Sequence, residues 1–115
     1  MKICILGSGY VGLVSGACFS DLGNKVICVD TDKRKINNLN NGIIPIYEPG
    51  LGELVSKNKK QNRLFFSKDI NNSIKKSDII FICVGTPTNK MSHAADLKYV
   101  FKAAKEISKF INSFK

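Results

Sequence analysis

The sequence lacks several features that would point to a membrane, metal or redox protein. Its 115 residues contain no apolar run approaching the roughly 20 residues that span a membrane. No pair of its four cysteines has the spacing of a metal knuckle or of a CxxC redox motif. The apolar run near the N-terminus ends in glycines that open a patterned segment, which is not typical of a signal peptide. We therefore expect a single-domain cytoplasmic protein with no metal site and no membrane partner.

Histidine and acidic residues are also scarce. The single histidine, His93, lies in a polar stretch, and we interpret it as a surface residue rather than a proton shuttle. Acidic residues number 9 against 18 basic ones, which gives a net charge of +9. The one basic cluster, at 57–63, has no recognisable nucleic-acid motif beside it. A second basic set has the spacing of a solvated helix face: Lys98, Lys102, Lys105 and Lys109. We predict no nucleic-acid partner, and a basic adaptor that binds nucleic acid stays an alternative.

The cysteines are predicted to be structural. Cys4, Cys28 and Cys83 lie inside apolar runs, and we interpret them, together with Cys18, as buried free thiols that pack as small hydrophobic side chains. Structural disulfides would need an oxidising compartment, which nothing in the sequence indicates.

Apolar runs alternate with amphipathic segments along the chain. The apolar runs predict four strands, at 2–6, 25–30, 63–67 and 78–84. The segments between them predict helices at 10–22, 32–41 and 51–60, a helical turn or two at 69–76, and a last helix at 96–112. This alternation is typical of a parallel sheet covered on both faces, and right-handed crossovers give the strand order 3-2-1-4. We predict an α/β fold, a Rossmann-like doubly wound parallel sheet that is incomplete.

The last predicted helix, at 96–112, is amphipathic and only partly covered. Asp96 is a good N-cap for it. Its apolar residues recur at three- and four-residue steps and predict one buried face: Leu97, Val100, Phe101, Ala104, Ile107 and Ile111. The fourth strand then forms an exposed edge of the sheet.

A glycine-rich turn, GSGYVGLVSG at 7–16, follows the first predicted strand and opens a helix. Gly7 permits a tight turn, Gly9 lets a pyrophosphate approach the backbone, and Gly12 lets the helix pack near the strand. The helix N-terminus offers free N–H groups to the phosphates. Asp30 ends the next strand, where it would accept hydrogen bonds from the adenosine ribose. Its charge favours NAD over NADP, a preference that the basic residues at 33–35 weaken, and a turn without a ligand is the alternative.

Five motifs in this chain resemble the UDP-glucose/GDP-mannose dehydrogenase family, in its N-terminal NAD-binding domain. They follow one another through essentially the whole chain: GSGYVGLVSG, VDTDKRKI, LNNGIIPIYEPGL, FICVGTPT and ADLKYV. The segments YVGLVSG and PIYEPGL are most similar to the UDP-glucose members. The resemblance implies oxidation of the sugar C6 alcohol to a carboxylate. It also implies the use of two NAD and passage through a thiohemiacetal and a thioester on a cysteine.

The resemblance also implies which residues bind NAD. Asp30 would hold the adenosine ribose with Lys35 beside it, and Val11 would lie beneath the pyrophosphate. Thr86 would contact the cofactor beyond the end of the fourth strand. The full predicted set is Gly7, Gly9, Tyr10, Val11, Gly12, Asp30, Lys35, Val84, Gly85 and Thr86.

Several of these residues have a plainer interpretation. Val11 is equally consistent with a packing residue, and Lys35 with a solvated helix lysine. The Thr86-Pro87 pair could form only a turn. Glu48, next to Tyr47 in the loop at 42–50, could simply introduce the helix that follows.

The resemblance finally implies that much of the enzyme lies outside this sequence. The family's catalytic cysteine, lysine and aspartate lie in later parts, so we assign no catalytic residue here. We expect residues 1–115 to be a partial dinucleotide-binding domain without the substrate domain, as a fragment, a split gene or an excised domain. It should bind NAD weakly and should not oxidise UDP-glucose alone. UDP-glucose would bind only with the missing C-terminal part, and the full-length enzyme is expected to be a homo-oligomer. The alternatives are a non-catalytic NAD-binding module and half of a split GDP-mannose or UDP-N-acetylmannosamine dehydrogenase.

Overall fold

A computed structural model describes residues 1–111 of the chain. Within that range, four parallel strands form one sheet in the order β3-β2-β1-β4. The strands are β1 Lys2–Leu6, β2 Lys25–Val29, β3 Leu64–Ser67 and β4 Ile79–Ile82. Five helices accompany them: α1 Tyr10–Asp21, α2 Lys33–Asn40, α3 Leu51–Lys60, α4 Ile70–Lys76 and α5 Lys98–Ser108. The predicted α/β fold and strand order are confirmed, and β4 is shorter than the predicted strand at 78–84.

The register of the sheet aligns the carboxyl ends of three strands. Leu6 at the end of β1 pairs with Val29 in β2 and with Ile82 in β4. The ladder continues past the strands, because the Gly7 N–H donates to the Val29 carbonyl at 2.7 Å. The Cys83 N–H likewise donates to the Leu6 carbonyl at 2.8 Å. The three segments that follow these strands therefore start at one edge of the sheet, where the glycine turn lies.

The sheet is covered on both faces because its strand side chains alternate between them. On one face, Ile3 and Ile5 of β1 pack with the buried residues of α1, α2 and α3, including Leu13, Leu39 and Val55. On the other face, Cys4 and Leu6 pack with residues of α4 and α5. Ile36 and Leu39 are the buried residues of α2.

Helix α1 lies close to the sheet because of its small residues. A Cβ built on Gly16 would come within 2.6 Å of the Cys28 sulfur in β2. Ala17 on the same face is fully buried.

Helix α5 differs from its prediction in its start, its end and its buried face. It begins at Lys98 after Leu97, and Asp96 accepts a hydrogen bond from the Lys98 N–H without being the N-cap. The helix ends at Ser108; Asn112, the predicted end, lies outside the described residues. Ala103 and Ile107 are the residues it buries.

Four members of the predicted α5 face are exposed instead, with Phe101 67% accessible: Leu97, Phe101, Ala104 and Ile111. We call these four residues the outer stripe of α5, although Leu97 and Ile111 lie just beyond the two ends of the helix. Apolar residues of this helix occupy two adjacent stripes, and three- and four-residue steps fit both. Because α5 packs against β4 at the sheet edge, one stripe meets the sheet and the other faces solvent.

The cysteine prediction is confirmed for two of the four thiols. Cys4 and Cys28 are fully buried, whereas Cys83 is partly buried and Cys18 is exposed on the outside of α1. The prediction of burial was wrong for Cys18 because its apolar neighbours occupy the other faces of the helix. Burial raises the pKa of Cys4 to about 12 and also raises the pKa of Cys28 and Cys83.

The basic cluster at 57–63 serves the fold. Lys57 forms an ion pair with Asp21 at 3.0 Å, and its hydrogen bond holds the pKa of Asp21 below the ordinary value. Lys59 donates to the carbonyls of Leu39 and Asn40 at the end of α2. Arg63 donates to the Ser20 carbonyl at 3.0 Å. Three of the four basic side chains of this cluster thus tie α1, α2 and α3 together, and the fourth, Lys60, is exposed.

Candidate cofactor site

The turn between β1 and α1 is built from three glycines with different surroundings. Gly7 has φ of +108°, and a Cβ there would come within 2.4 Å of the Cys83 carbonyl oxygen. A Cβ on Gly12 would come within 1.9 Å of the Gly7 carbonyl oxygen. Around the Cβ position of Gly9, in contrast, no described atom lies within 4 Å. Gly7 and Gly12 are therefore required by packing, while Gly9 leaves open space beside the start of α1.

The start of α1 offers donors to that space. Gly9 is its N-cap, and among residues 1–111 no side chain caps this end. The first turn of the helix contains no acidic residue. Unpaired N–H groups and the positive end of the helix dipole therefore remain available for an anion.

Asp30 lies directly after β2 and faces this turn. Its Oδ2 accepts hydrogen bonds from the Ser8 N–H at 3.0 Å and from the Ser8 hydroxyl at 2.9 Å. Its Oδ1 accepts one from the Asp32 N–H at 3.0 Å. Partial burial alone would raise the pKa of Asp30, but these donors and the Lys35 ammonium outweigh it and hold the pKa below the ordinary value. The group is a charged acceptor at neutral pH.

Lys35 reaches Asp30 because of how α2 begins. The Asp32 carboxylate caps α2 by accepting from the N–H groups of Arg34 and Lys35. This places Lys35 in the first turn, with its Nζ 3.7 Å from Asp30 Oδ2. The Lys35 ammonium is therefore paired with the Asp30 carboxylate.

The segment after β4 forms the opposite wall. Val84, Gly85 and Thr86 follow Cys83 at the carboxyl edge of the sheet. A bridge between Thr88 and Ala95 closes the loop that leads from this wall to α5. His93 lies in this loop and is exposed, as predicted.

These parts enclose a groove of about 810 Å³. Nine of the ten predicted cofactor residues line it: Gly7, Gly9, Tyr10, Val11, Asp30, Lys35, Val84, Gly85 and Thr86. Gly12, the tenth, is buried beneath the turn in the packing role predicted for it. Val11 is 63% exposed, so it does not pack in the core.

Sequence reasoning missed a residue that supports the groove and one wall of the groove itself. Ser8 holds Asp30, and its only signal was its place inside the glycine turn. The far wall comes from α5, through Tyr99, Lys102 and Glu106. Their three- and four-residue steps mark a helix face, so the signal was present, but we had assigned Lys102 to a solvated face.

The loop at 42–50 meets the groove through Tyr10. The Tyr10 hydroxyl donates a 2.6 Å hydrogen bond to Glu48 Oε2, and this bond raises the pKa of Tyr10. The Glu48 carbonyl also accepts from the Leu51 N–H at the start of α3, as expected of a residue that introduces the helix. Tyr47 beside it is 90% exposed.

Comparison with known proteins identifies the domain that this geometry belongs to. Residues 1–115 match the NAD binding domain of the UDP-glucose/GDP-mannose dehydrogenase family. The chain belongs to this family. The resemblance carried by the five motifs is thus confirmed, and NAD is the cofactor of the domain.

The relatives of this dehydrogenase domain are several times longer. UDP-glucose 6-dehydrogenase TuaD of Bacillus subtilis (strain 168) is 56% identical over 99% of this chain, which covers 24% of that protein. UDP-glucose 6-dehydrogenase of Rhizobium meliloti (strain 1021) is 50% identical over 99% of this chain, which covers 26% of that protein. The chain therefore spans about a quarter of the length of the curated relatives that it matches.

Solved structures show the same fold. GDP-mannose dehydrogenase from Pseudomonas aeruginosa, in a ternary complex, superimposes with a TM-score of 0.92 at 41% identity, covering 98% of this chain and 26% of that chain. UDP-glucose dehydrogenase from Pyrobaculum islandicum gives a TM-score of 0.86 at 36% identity, covering 92% of this chain and 24% of that chain.

The residues present fit NAD. The open space at Gly9 beside an uncapped helix start suits a pyrophosphate, and the charged Asp30 carboxylate suits a ribose diol. Among residues 1–111, no three His, Cys, Asp or Glu side chains are placed to hold a metal ion together. No helix in that range is both long and apolar enough for a membrane span.

Proposed function

We propose that residues 1–115 are a partial dinucleotide-binding domain in which the nine predicted residues that line the groove bind NAD and Gly12 supports the turn beneath it. The N-terminus of α1 and the Gly9 backbone bind the pyrophosphate, and Asp30 accepts hydrogen bonds from the adenosine ribose. Val84, Gly85 and Thr86 contact the cofactor from the opposite wall. The observation that carries this proposal is the single groove that joins the open position at Gly9 to the Asp30 carboxylate.

We propose further that the whole protein is a UDP-glucose 6-dehydrogenase, which oxidises UDP-glucose to UDP-glucuronate with two NAD. The curated relatives of highest identity quoted above are both described as UDP-glucose 6-dehydrogenases. Bound NAD supplies a hydride acceptor for the sugar alcohol. The residues of this chain hold that acceptor in place, since the groove brings together the start of α1, the Asp30 carboxylate and the glycine turn.

The chain by itself is proposed to be inactive. A thiol must ionise to act as the nucleophile, and burial raises the pKa of Cys4, Cys28 and Cys83. Cys18 is exposed but is not among the residues that line the groove. The catalytic cysteine and the residues that bind UDP-glucose are proposed to lie in the part of the protein beyond this chain.

A different nucleotide sugar is the second candidate. The fold is equally that of a GDP-mannose dehydrogenase, with a TM-score of 0.92, and of a UDP-N-acetyl-mannosamine dehydrogenase from Staphylococcus aureus, with a TM-score of 0.87. The α/β domain is shared by enzymes that differ in their sugar, so its shape does not select one. We propose that the whole protein is a cytoplasmic homo-oligomer. We also propose that it has no nucleic-acid partner, which is supported by the contacts that Lys57, Lys59 and Arg63 make within the domain.

Calorimetric titration of the folded chain with NAD tests the proposed site. We expect binding to the wild type and a loss of roughly tenfold or more in affinity for Asp30→Ala, because a charged acceptor for the ribose is removed. Asp69→Ala is the matched control: that carboxylate also accepts a backbone N–H, from Asn72, and is not among the residues that line the groove. Absence of heat from a folded wild-type sample would contradict the proposal.

A kinetic assay tests the proposed inactivity. We expect no NADH from UDP-glucose and NAD with the pure chain, at protein concentrations where NAD binding is measurable. Formation of NADH at a rate proportional to the chain concentration would show that the chain carries its own catalytic groups.

A further inference from the structure

Ser8 is the residue in the glycine turn that the proposed NAD site does not yet use. It is fully buried, at 0% exposure, between Gly7 and Gly9. Its hydroxyl and its backbone N–H both donate to Asp30 Oδ2, at 2.9 and 3.0 Å. The contact joins residues 22 positions apart and connects the turn after β1 with the segment after β2.

The hydrogen bonds of Asp30 are divided unequally between its two oxygens. A carboxylate has about four acceptor sites, two on each oxygen. Among residues 1–111, Oδ2 accepts both hydrogen bonds from Ser8 and has the Lys35 ammonium at 3.7 Å. Oδ1 accepts a single hydrogen bond, from the Asp32 N–H. An acceptor site on Oδ1 is therefore what Asp30 keeps for a ligand.

We propose that Ser8 is a positioning residue for NAD, whose hydroxyl holds the Asp30 carboxylate so that Oδ2 is engaged inside the protein and Oδ1 accepts from the ribose. This inference rests on the proposed NAD site. Ser8 acts through Asp30, and its hydroxyl has no contact with the cofactor in this arrangement. The carboxylate rotation is otherwise soft, because a torsion between sp³ and sp² carbons has broad minima.

The Ser8 hydroxyl also stabilises the charged form of Asp30. Hydrogen bonds to the charged form of an acid lower its pKa, so a missing donor moves the pKa upward. The Ser8 hydroxyl is one of the groups that lower the pKa of Asp30. A variant without it should lose NAD affinity at a higher pH than the wild type does when the solution is acidified. A purely structural role for Ser8 would not move this pH dependence.

The experiment is calorimetric titration of the 115-residue chain with NAD from about pH 2.5 to about pH 7, because the ordinary pKa of an aspartate is about 3.9 and the pKa of Asp30 is lower. For Ser8→Ala we expect Kd to rise roughly three- to tenfold at neutral pH, the effect of one charge-assisted hydrogen bond acting through a neighbour. We also expect the acid loss of affinity to begin at a higher pH. The titration of NAD itself is common to all variants and cancels in the comparison.

Ser20→Ala is the matched control. Ser20 is equally buried, and its hydroxyl donates to the Ala17 carbonyl at 2.8 Å near the far end of α1. We expect its Kd and pH profile to equal those of the wild type. Ser8→Cys is a second variant for the case that Ser8→Ala does not fold: it keeps the volume with a weaker donor, and its profile should move in the same direction.

The outcomes separate this inference from the NAD site on which it rests. A wild-type chain that binds no NAD, or an Asp30→Ala variant that binds as tightly as the wild type, overturns the site. If the wild type binds and Asp30→Ala does not, an unchanged pH profile in the folded Ser8 variants overturns the role of Ser8. The same shift in Ser20→Ala would also overturn it, because the effect would then belong to lost buried hydroxyls in general.

Discussion

The Tyr10 hydroxyl lies 2.6 Å from Glu48 Oε2, which joins the first turn of α1 to the loop at 42–50. Tyr10 lines the groove, and Glu48 stands where this loop turns into α3. One hydrogen bond thus links the proposed pyrophosphate site to a segment 38 residues away in sequence. The glutamate of the motif PIYEPGL therefore holds a residue that lines the groove, Tyr10, while the tyrosine of the motif stays exposed.

We predict that Glu48→Gln lowers the pKa of Tyr10. The Glu48 carboxylate accepts a hydrogen bond from the phenol O–H and repels the phenolate, so both effects favour the neutral phenol in the wild type. An absorbance titration of tyrosinate, with the Tyr10→Phe spectrum subtracted to isolate this residue, measures the change. The same difference should persist in a Tyr99→Phe background. Identical Tyr10 titration curves for the wild type and the Glu48→Gln variant would show that the hydrogen bond is absent in solution.

The glycines of the turn should separate folding from binding. Gly12→Ala should destabilise the chain by about 1–3 kcal/mol or more, since its methyl would overlap the Gly7 carbonyl oxygen. Gly9→Ala should change stability by no more than about 1 kcal/mol, because its Cβ meets open space. Yet Gly9→Ala should weaken NAD binding by roughly tenfold, because the methyl stands where the pyrophosphate approaches. Chemical denaturation and calorimetry measure the two effects.

Gly52 provides the control for the alanine substitutions. It lies within α3, and no described atom surrounds its Cβ position. Gly52→Ala should stabilise the chain by about 0.5–1 kcal/mol through helix propensity and leave NAD affinity unchanged. If Gly12→Ala proved as stable as Gly52→Ala, the close approach of α1 to the turn would be wrong.

The four thiols should react in a fixed order at neutral pH. Cys18 is exposed and should be modified first, followed by Cys83, whose partial burial raises its pKa. Cys4 and Cys28 should react only after unfolding, since both are buried with raised pKa values. Kinetics with a disulfide reagent measure the order, and Cys18→Ser should remove the fast phase. NAD should slow Cys83 alone, because it lines the groove.

Asp30 should make the free energy of unfolding of the chain depend on pH. Its pKa is lower in the folded chain, so its contribution is present above the unfolded value of about 3.9. That contribution is lost as the pH falls through the folded value. We expect Asp30→Asn to cost about 1 kcal/mol at pH 7 after screening by solvent, and the difference from wild type to shrink below about pH 4. Parallel stability curves for the two proteins would contradict this assignment.

Much of the fold could be predicted because each strand is a continuous apolar run between clear breaks. The order β3-β2-β1-β4 follows from right-handed crossovers, a chirality that does not depend on sequence detail. Packing explains why the roles predicted for Gly7 and Gly12 agree with their surroundings: both positions lack space for a side chain.

What the sequence could not supply is the orientation of side chains relative to distant segments. Ser8 has no pattern that marks it, because its partner Asp30 is identified only once β1 and β2 are in register. On α5, the apolar residues fit two helix stripes, and the position of β4 at the sheet edge decides which stripe is buried. The burial of Cys18 is ambiguous for the same reason, because α1 has one face toward the sheet and another toward solvent.

The outer stripe of α5 and the open edge of β4 also govern how copies of this chain behave together. Phe101 and Phe81 present apolar surface to water, at 67% and 37% exposure, while the net charge of +9 repels neighbouring molecules. Salt shortens the range of that repulsion and leaves the apolar attraction intact. The chain should therefore stay dispersed in dilute buffer and scatter more light as sodium chloride is added. Association that increases with salt is the opposite of what an assembly held by ion pairs shows, since salt dissociates ion pairs.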